Sequence, residues 1–431
     1  MARDTDGYGE QSDDQRGGDR AGLRAYNERL ILSVIRQRGP LSKAELARVT
    51  GLSAQGVSII VSGLLKEKLV RKESKVRGNV GQPYTPIALH PRGRFSVGIK
   101  IGRRNLEVVL LDFVGTVIAH ERMDYAGPYR QQVIASAQDA LSRTLDTLSA
   151  EERQRTIGIG IAMPGDMHAW ASELGLEPGA LDDWQGADPA DELQAATGLP
   201  TFPYNDITAS CAAEMYFGEA ITARSVVYLF VGGFIGGGIV LDGRLHTGSR
   251  GNAGALGSMP MDSANGTEGP PDQLIHRASL IFLQRDLNAA GLDGPGLIAG
   301  RVDDLRGEEI FQAWCARAGA AIARTVVCAA SVFDFEQAVI DGVMRADWQD
   351  RLVHKVRHTL TDLNLSGLSP ITIETGSVGE QAPALGAALM PLTLRFTPHA
   401  DLLVKQTPTT ETLSSAGADD SVGNRLVQSE S

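Results

Sequence analysis

The sequence predicts an α/β chain with a winged helix-turn-helix at its N-terminus and a body of two similar lobes. Three observations predict it. Between residues 23 and 67, apolar residues recur at helical spacing in three short runs separated by turns. From residue 95 the texture changes to short apolar runs of strand character alternating with helical ones. One pattern then occurs twice, as VVLLDFVGTVI (108–118) and GGIVLDGRLHT (237–247): an apolar strand, an Asp, a Gly-containing turn and another strand.

Residues 1–21 are Gly-, Asp- and Gln-rich and are expected to be a disordered tail, as are residues 402–431. Residues 22–90 form the winged module. LRAYNERLILSVIRQR (23–38) sets Leu23, Tyr26, Leu30, Ile31 and Val34 on one helical stripe, ended by Gly39-Pro40. Ser42-Lys43-Ala44-Glu45 is a capping box that opens a second helix, with Leu46, Ala47 and Val49 inward. Gly51 supplies the turn. Ser53 caps a third helix with Val57, Ile60, Val61, Leu64 and Leu65 inward and Ala54, Gln55, Ser58, Ile59 and Ser62 outward. Leu69–Lys72 and Thr85–Leu89 flank a polar, Gly-rich tip and read as a β-ribbon wing.

The first lobe is expected over 91–205, completed by a helix near 383–395, and the second over 206–382. FSVGIKI, NLEVVLLDF and TVIAHERM read as a strand meander, followed by a helix at about 129–149. IGIGIAMPG is a buried strand ending in a Pro-Gly turn, and a short strand near Thr201 leads into a helix from Asp206. SVVYLFVGG and GGIVLDGRL begin the second lobe, and EQAVIDG and SPITIET are its later strands.

Composition narrows the function classes. No run of 18 apolar residues occurs, so no transmembrane helix is expected, and the polar N-terminus is no secretory signal. Cys211, Cys315 and Cys328 lie far apart, fit neither a disulfide framework nor a zinc cluster, and are read as buried free thiols of a reducing cytosol. The net charge of −11 argues against a nucleic-acid partner until its distribution is read. Residues 21–90 hold 12 Lys+Arg against 4 Asp+Glu, a balance of +8, which leaves −19 on the rest. A basic module on an acidic body directs DNA to the module and repels it from the body.

An α-helix fits the major groove and presents short polar side chains to base edges. Gln55, Ser58 and Ser62 are therefore candidate base readers. Arg71, Lys72, Lys75 and Arg77 in the wing are candidate phosphate or minor-groove contacts. Asn27, Arg29 and Lys43 are further backbone-contact candidates. The competing reading is a small helical interaction module with a solvated charged surface. The capping box, the turn Gly, the polar outer face and the local charge agree on DNA.

The stretches LSKAELARVTGLSAQGVSIIVSGLLKEKLV, VGIKIGRRNLEVVLLDFVGTVI, IGIGIAMPG, NDITASCAAE, IGGGIVLDGRL, GSRGNAGALG and ALGAALMPL, in that order, resemble the ROK family of repressors and sugar kinases. The resemblance covers roughly residues 24–400 and points to the regulator branch. It implies an actin-like, ribonuclease H-like sugar-kinase fold with a cleft between the lobes. It also implies that Asn205-Asp206 contacts sugar hydroxyls, with Pro164 and Gly165 at the same cleft. The alternative for Asp206 is that it only caps the following helix.

The departures from the family pattern bear on catalysis. The kinases' Asp-x-Gly-Gly-Thr appears here as Lys100-Ile101-Gly102-Arg103-Arg104, and Phe234 stands where the second phosphate loop has a Gly. An ATP site needs backbone access and a metal ligand, so neither a catalytic residue nor a cofactor is assigned. Arg103 and Arg104 are read as surface or lobe-bridging charge, with anion binding as the alternative. The family's adenosine-side Gly-Gly is Asp341-Gly342, its sugar-binding Glu is Ala255, and its zinc- and sugar-binding His is Ser258. SMPMDSANGTEGPPDQL after it has no Cys, so no zinc site is expected. The function expected is a cytoplasmic, nucleoid-associated regulator, a repressor by the family's commoner mode. Its partners would be a palindromic operator and a sugar effector, and its state a homodimer or tetramer. The alternatives are a regulator whose body serves only oligomerisation, and an ATP-dependent sugar kinase.

Overall fold

The computed structural model describes residues 20–76, 83–165, 167–172, 174–262 and 272–398. The two tails expected to be disordered fall outside it, except that Arg20 and Ala21 already belong to the first helix.

Three helices open the chain: α1 (Arg20–Arg38), α2 (Lys43–Thr50) and α3 (Ala54–Lys66). The caps read from sequence are present. Ser42 Oγ accepts from Glu45 N at 3.2 Å while the Glu45 carboxylate accepts from Ser42 N at 2.9 Å. Gly51 takes the left-handed conformation at φ 72°, and its N–H closes α2 on Ala47 O. Ser53 caps α3 through Gly56 N. The α1 stripe is rotated from the expected one: Ile31, Leu32, Val34 and Ile35 are buried and Leu23 is half exposed. Strands β1 (Val70–Lys72) and β2 (Ile87–Leu89) pair antiparallel, with a bridge between Val76 and Tyr84 further out, and form the wing.

The body holds two five-stranded mixed sheets. The first runs β5-β4-β3-β6-β7: β3 (Phe95–Ile101), β4 (Asn105–Asp112) and β5 (Val117–Asp124) as an antiparallel meander, then β6 (Thr156–Met163) and β7 (Thr201–Asn205) parallel to β3. Helices α4 (Arg130–Asp146), α5 (Ala150–Arg153) and α6 (Pro189–Thr197) accompany it, and α7 (Asp206–Phe217) leaves from its last strand. The second sheet repeats the plan: β8 (Val226–Val231), β9 (Ile235–Leu241) and β10 (Arg244–His246) as the meander, then β13 (Gln337–Gly342) and β14 (Thr372–Thr375) in parallel. Between them lie a ribbon, β11 (Pro260–Met261) with β12 (Asp272–Gln273), and helices α8 (Leu274–Ala278), α9 (Leu280–Ala289), α10 (Gly294–Ile298) and α11 (Leu305–Phe333). Helices α12 (Ala346–Thr361) and α13 (Ala382–Phe396) follow. Two meander-plus-parallel sheets in tandem are the actin-like arrangement.

Helix α11 is long and apolar enough, by length and composition, to cross a membrane. Its Phe311, Trp314, Ala318, Ile322 and Val326 are instead buried in the second lobe's core. Helix α13 lies directly on the first sheet. A Cβ on Gly98 or Gly160 would sit 2.2 Å from Ala384 O or 2.0 Å from Ala387 O, so those glycines admit the helix backbone. The winged module does not have a private core. Its buried Ile31, Val57, Val61 and Leu64 form one cluster with Phe113, Ile157 and Leu392 of the body.

Cys211 and Cys315 are buried free thiols, and burial raises both above the ordinary thiol range. Cys328 departs from the expectation: it is exposed on α11, because its position faces away from the lobe's core.

Candidate nucleic-acid interface and interlobe cleft

Helix α3 separates its two faces cleanly. Val57, Ile60, Val61 and Leu64 are buried, whereas Gln55, Ile59 and Ser62 are exposed. Ser58 is half-buried, and its hydroxyl accepts from Lys43 Nζ at 3.0 Å, so those two candidate residues are neighbours. Ser62 donates back to Ser58 O at 2.7 Å. In the wing, Arg71, Lys72 and Lys75 are exposed. Arg71 is paired with Glu73 at 2.9 Å. Arg77 lies outside the described residues. Arg29 is a correction. It turns to the body, where its Nη1 donates to Leu394 O and Thr397 O at 3.3 and 3.4 Å, because α1 packs along the end of α13. It is therefore a docking residue of the module.

Between the lobes is a cleft of about 580 Å³. The first lobe contributes Pro164, Gly165, His168, Trp184, Tyr204 and Asn205, and the second contributes Thr247, Arg250 and Asn252. Asn205, Pro164 and Gly165 thus share one wall. Asp206 does not line it. Asn205 is the residue that caps α7, its Oδ1 accepting from Ile207 N at 3.0 Å and Thr208 N at 3.3 Å. Asp206 is the first residue inside the helix and half-buried; burial raises its carboxyl above the ordinary value, opposed by Arg103 and Lys100. The two alternatives weighed for Asp206 therefore divide differently: the cap belongs to Asn205, and Asp206 feels the charges of Arg103 and Lys100.

A second contact between the lobes is made by side chains that do not line this cleft. Arg103, on the β3–β4 turn, lies with its guanidinium carbon 4.7 Å from the Trp170 ring centre and 4.3 Å from that of Phe234. The two ring centres lie 3.9 Å apart with the planes tilted by 46°. Trp170 belongs to the first lobe and Phe234 to the second, so a cation against a pair of aromatics joins the lobes. Burial lowers the Arg103 guanidinium to about 10, with Asp206 acting in the other direction. Arg104 donates to Ala126 O and, at 2.8 Å, to Leu174 O. Lys100 is held by the buried Glu107 at 2.7 Å. Lys100, Arg103 and Arg104 are thus each engaged by other side chains or carbonyls of the chain.

Asp341 is a buried knot at the end of β13. Tyr228 Oη donates to it at 3.0 Å, Gly342 N at 2.8 Å and Gly379 N at 3.1 Å, and burial raises its carboxyl. A zinc ion does not fit the residues near Ser258 either, since Ala255 and Ser258 offer no imidazole, thiol or carboxylate. His276 bonds Asp272 at 2.8 Å. Among the described residues no three His, Cys, Asp or Glu side chains converge to hold a metal. Sequence reasoning missed Trp170, whose only signal was an aromatic in the loop after IGIGIAMPG, and missed Arg36 and Tyr216, which no local pattern marks.

These features define a class: a helix-turn-helix module seated on a body with the two-sheet fold of sugar kinases and their regulator relatives. The chain belongs to the ROK family, whose model matches residues 96–393. A MarR family model matches residues 25–78. The chain is 28% identical over 375 residues to the uncharacterized protein y4fQ of Sinorhizobium fredii, covering 86% of this chain and 92% of that one. It is 26% identical over 246 residues to the xylose repressor of Bacillus spizizenii, covering 57% of this chain and 62% of the repressor's length. A crystal structure of a ROK family transcriptional regulator, a homologue of the Escherichia coli Mlc protein, superposes with a TM-score of 0.64 at 21% identity. That match covers 89% of this chain and 98% of the other and supports the fold.

Proposed function

We propose that the protein is a sequence-specific DNA-binding transcriptional regulator, a repressor, whose body binds a sugar in the interlobe cleft and mediates self-association. The observation that carries this reading is the division of α3. Its apolar face packs into the core shared with the body, while Gln55 and Ser62 are exposed, as are the wing cations Arg71, Lys72 and Lys75. A helix of that kind next to a basic ribbon suits a major groove flanked by phosphates. The family membership and the likeness to a xylose repressor support the same reading. Gln55, Ser58 and Ser62 read bases, and Lys43, Arg71, Lys72, Lys75 and Arg77 hold the backbone. Two copies on a palindromic site match the way such modules bind, and the protein works in the cytoplasm at the nucleoid.

Sugar sensing is supported by a roomy cleft with amides, an imidazole and an aromatic on its walls. Asn205, Pro164 and Gly165 form its ligand wall. A kinase reading is disfavoured by Arg103 and Phe234, which replace small residues of the kinase pattern and engage each other. Footprinting with DNA upstream of the protein's own gene and neighbouring genes tests the reading. Protection of an inverted repeat is expected; no protected segment at low salt overturns it.

A further inference from the structure

We propose that helix α7 transmits the state of the interlobe cleft to the helix-turn-helix through one joint, Tyr216 on Arg36. The inference rests on the regulator reading only for its use, not for its mechanics.

The two ends of α7 meet the two sites. At its N-terminus, Asn205 and Thr208 line the cleft, and the Asn205 side chain closes the first turn. At its C-terminus, Tyr216 Oη donates to Val114 O at 3.1 Å and accepts from Arg36 Nη1 at 2.5 Å. The Arg36 guanidinium carbon also lies 5.4 Å from the Tyr216 ring centre and 5.1 Å from that of Phe113. Arg36 is near the end of α1, one turn past Ile31 and Leu32, which are buried in the core that also holds Val57 and Leu64 of α3. A displacement of Tyr216 is therefore applied to the helix on which α3 is seated.

The helix between these ends is stiff. Its 12 residues span about 18 Å. Every residue from Ile207 to Glu214 is buried. Its backbone touches that of α13 so closely that a Cβ on Gly386 would sit 1.7 Å from Ala209 O. Glu214 pins its last turn by accepting from Ser377 N and Val378 N, each at 3.1 Å. A close-packed helix of this kind moves as a body rather than bending. The neutral hydroxyl and the charged guanidinium form a charge-assisted hydrogen bond, the strongest polar contact type at such a junction.

The competing account is that Arg36 and Tyr216 merely dock the module. Continuity of contacts does not by itself establish coupling. Coupling is reciprocal, whereas docking is local. Hydrogen exchange by mass spectrometry on the full chain separates the two. Tyr216→Phe keeps the ring and removes the joint's hydroxyl; Arg36→Gln breaks the joint from the other side. Arg36→Gln is expected to speed exchange about tenfold in peptides covering residues 201–210 at the cleft as well as in α1. Tyr216→Phe is expected to do the same in both places, and Lys75→Ala in the wing in neither. Changes confined to α1 and residues 113–115, with 201–210 unaltered in folded protein, overturn the proposal. If one variant fails to fold, the other decides. Absence of any DNA binding by the unmodified chain would sink the regulator reading while leaving this result intact.

Discussion

Arg103 and Phe234 meet across the gap between the lobes, the guanidinium carbon 4.3 Å from the ring centre. Arg103 stands on the turn between β3 and β4, and Phe234 just before β9. On the proposed non-kinase reading, this lobe-to-lobe contact stands where the family's kinases would take a phosphate chain. Mg-ATP titrated into the protein in a calorimeter should produce no binding heat. Phe234→Gly alone should not restore it, because Arg103 and Lys100 remain. A saturating isotherm for the unmodified chain would refute this account of the clasp.

The same arginine gives a pH signature through Asp206. Burial raises that carboxyl in the folded protein, and Arg103 opposes the rise. A carboxyl raised on folding binds its proton more tightly in the native state. It therefore costs stability at neutral pH, and the cost fades as the pH falls through the folded value toward the ordinary carboxylate range. Arg103→Ala removes a counter-charge, so its stability deficit should be largest near neutral pH and should shrink on acidification. Thermal melts of both proteins between about pH 4.5 and about pH 7.5 check this. A deficit constant across that range would mean Asp206 does not depend on Arg103.

Wing and helix substitutions should separate affinity from specificity. Lys72→Ala should weaken binding to every DNA sequence and reduce the salt slope by about one. Glu73→Gln should strengthen binding to all sequences, because Arg71 is then released from its 2.9 Å ion pair. Gln55→Ala should instead redistribute preference at one base pair by about 1–3 kcal/mol. Band shifts over a salt series with matched and altered sites measure all three. Wing variants that change only sequence preference would reverse the assigned roles.

Asn205 has two jobs that substitutions can part. Asn205→Ala removes the α7 cap and should cost about 1 kcal/mol. Asn205→Asp keeps a strong cap, so its melting temperature should stay near the original. It loses the amide's donors toward the cleft, however. Any neutral sugar that raises the melting temperature of the unmodified protein should do so less in Asn205→Asp. An undiminished shift would place the ligand away from Asn205.

Glu214 should behave as a structural carboxylate. It is fully buried and accepts from Ser377 N, Ser377 Oγ and Val378 N, each at 3.1 Å. Glu214→Ala should cost about 3 kcal/mol by leaving those donors without partners. Denaturant unfolding measures it, and a loss below about 1 kcal/mol would mean water replaces the carboxylate.

The local features were legible in the sequence because their physics is local. The capping box at Ser42 and Glu45, the left-handed Gly51, the buried face of α3 and the paired meanders all depend on residues a few positions apart. The charge contrast between residues 21–90 and the rest is likewise a property of the chain alone. The order of the family's stretches carried the actin-like body.

Tertiary structure decided the rest. Gly236 and Gly238 look like remnants of a phosphate loop, but a Cβ on them would strike Ile207 at 2.7 Å and Cys211 at 2.6 Å, so they seat α7. Arg29 looks like a phosphate contact and instead holds the body's last helix. Arg103 finds Trp170 and Phe234 from distant segments, and Arg36 finds Tyr216. The reason is general. A cation or a glycine has the same local signature whether it faces solvent, ligand or another helix, and only the packing of elements far apart in sequence chooses among them.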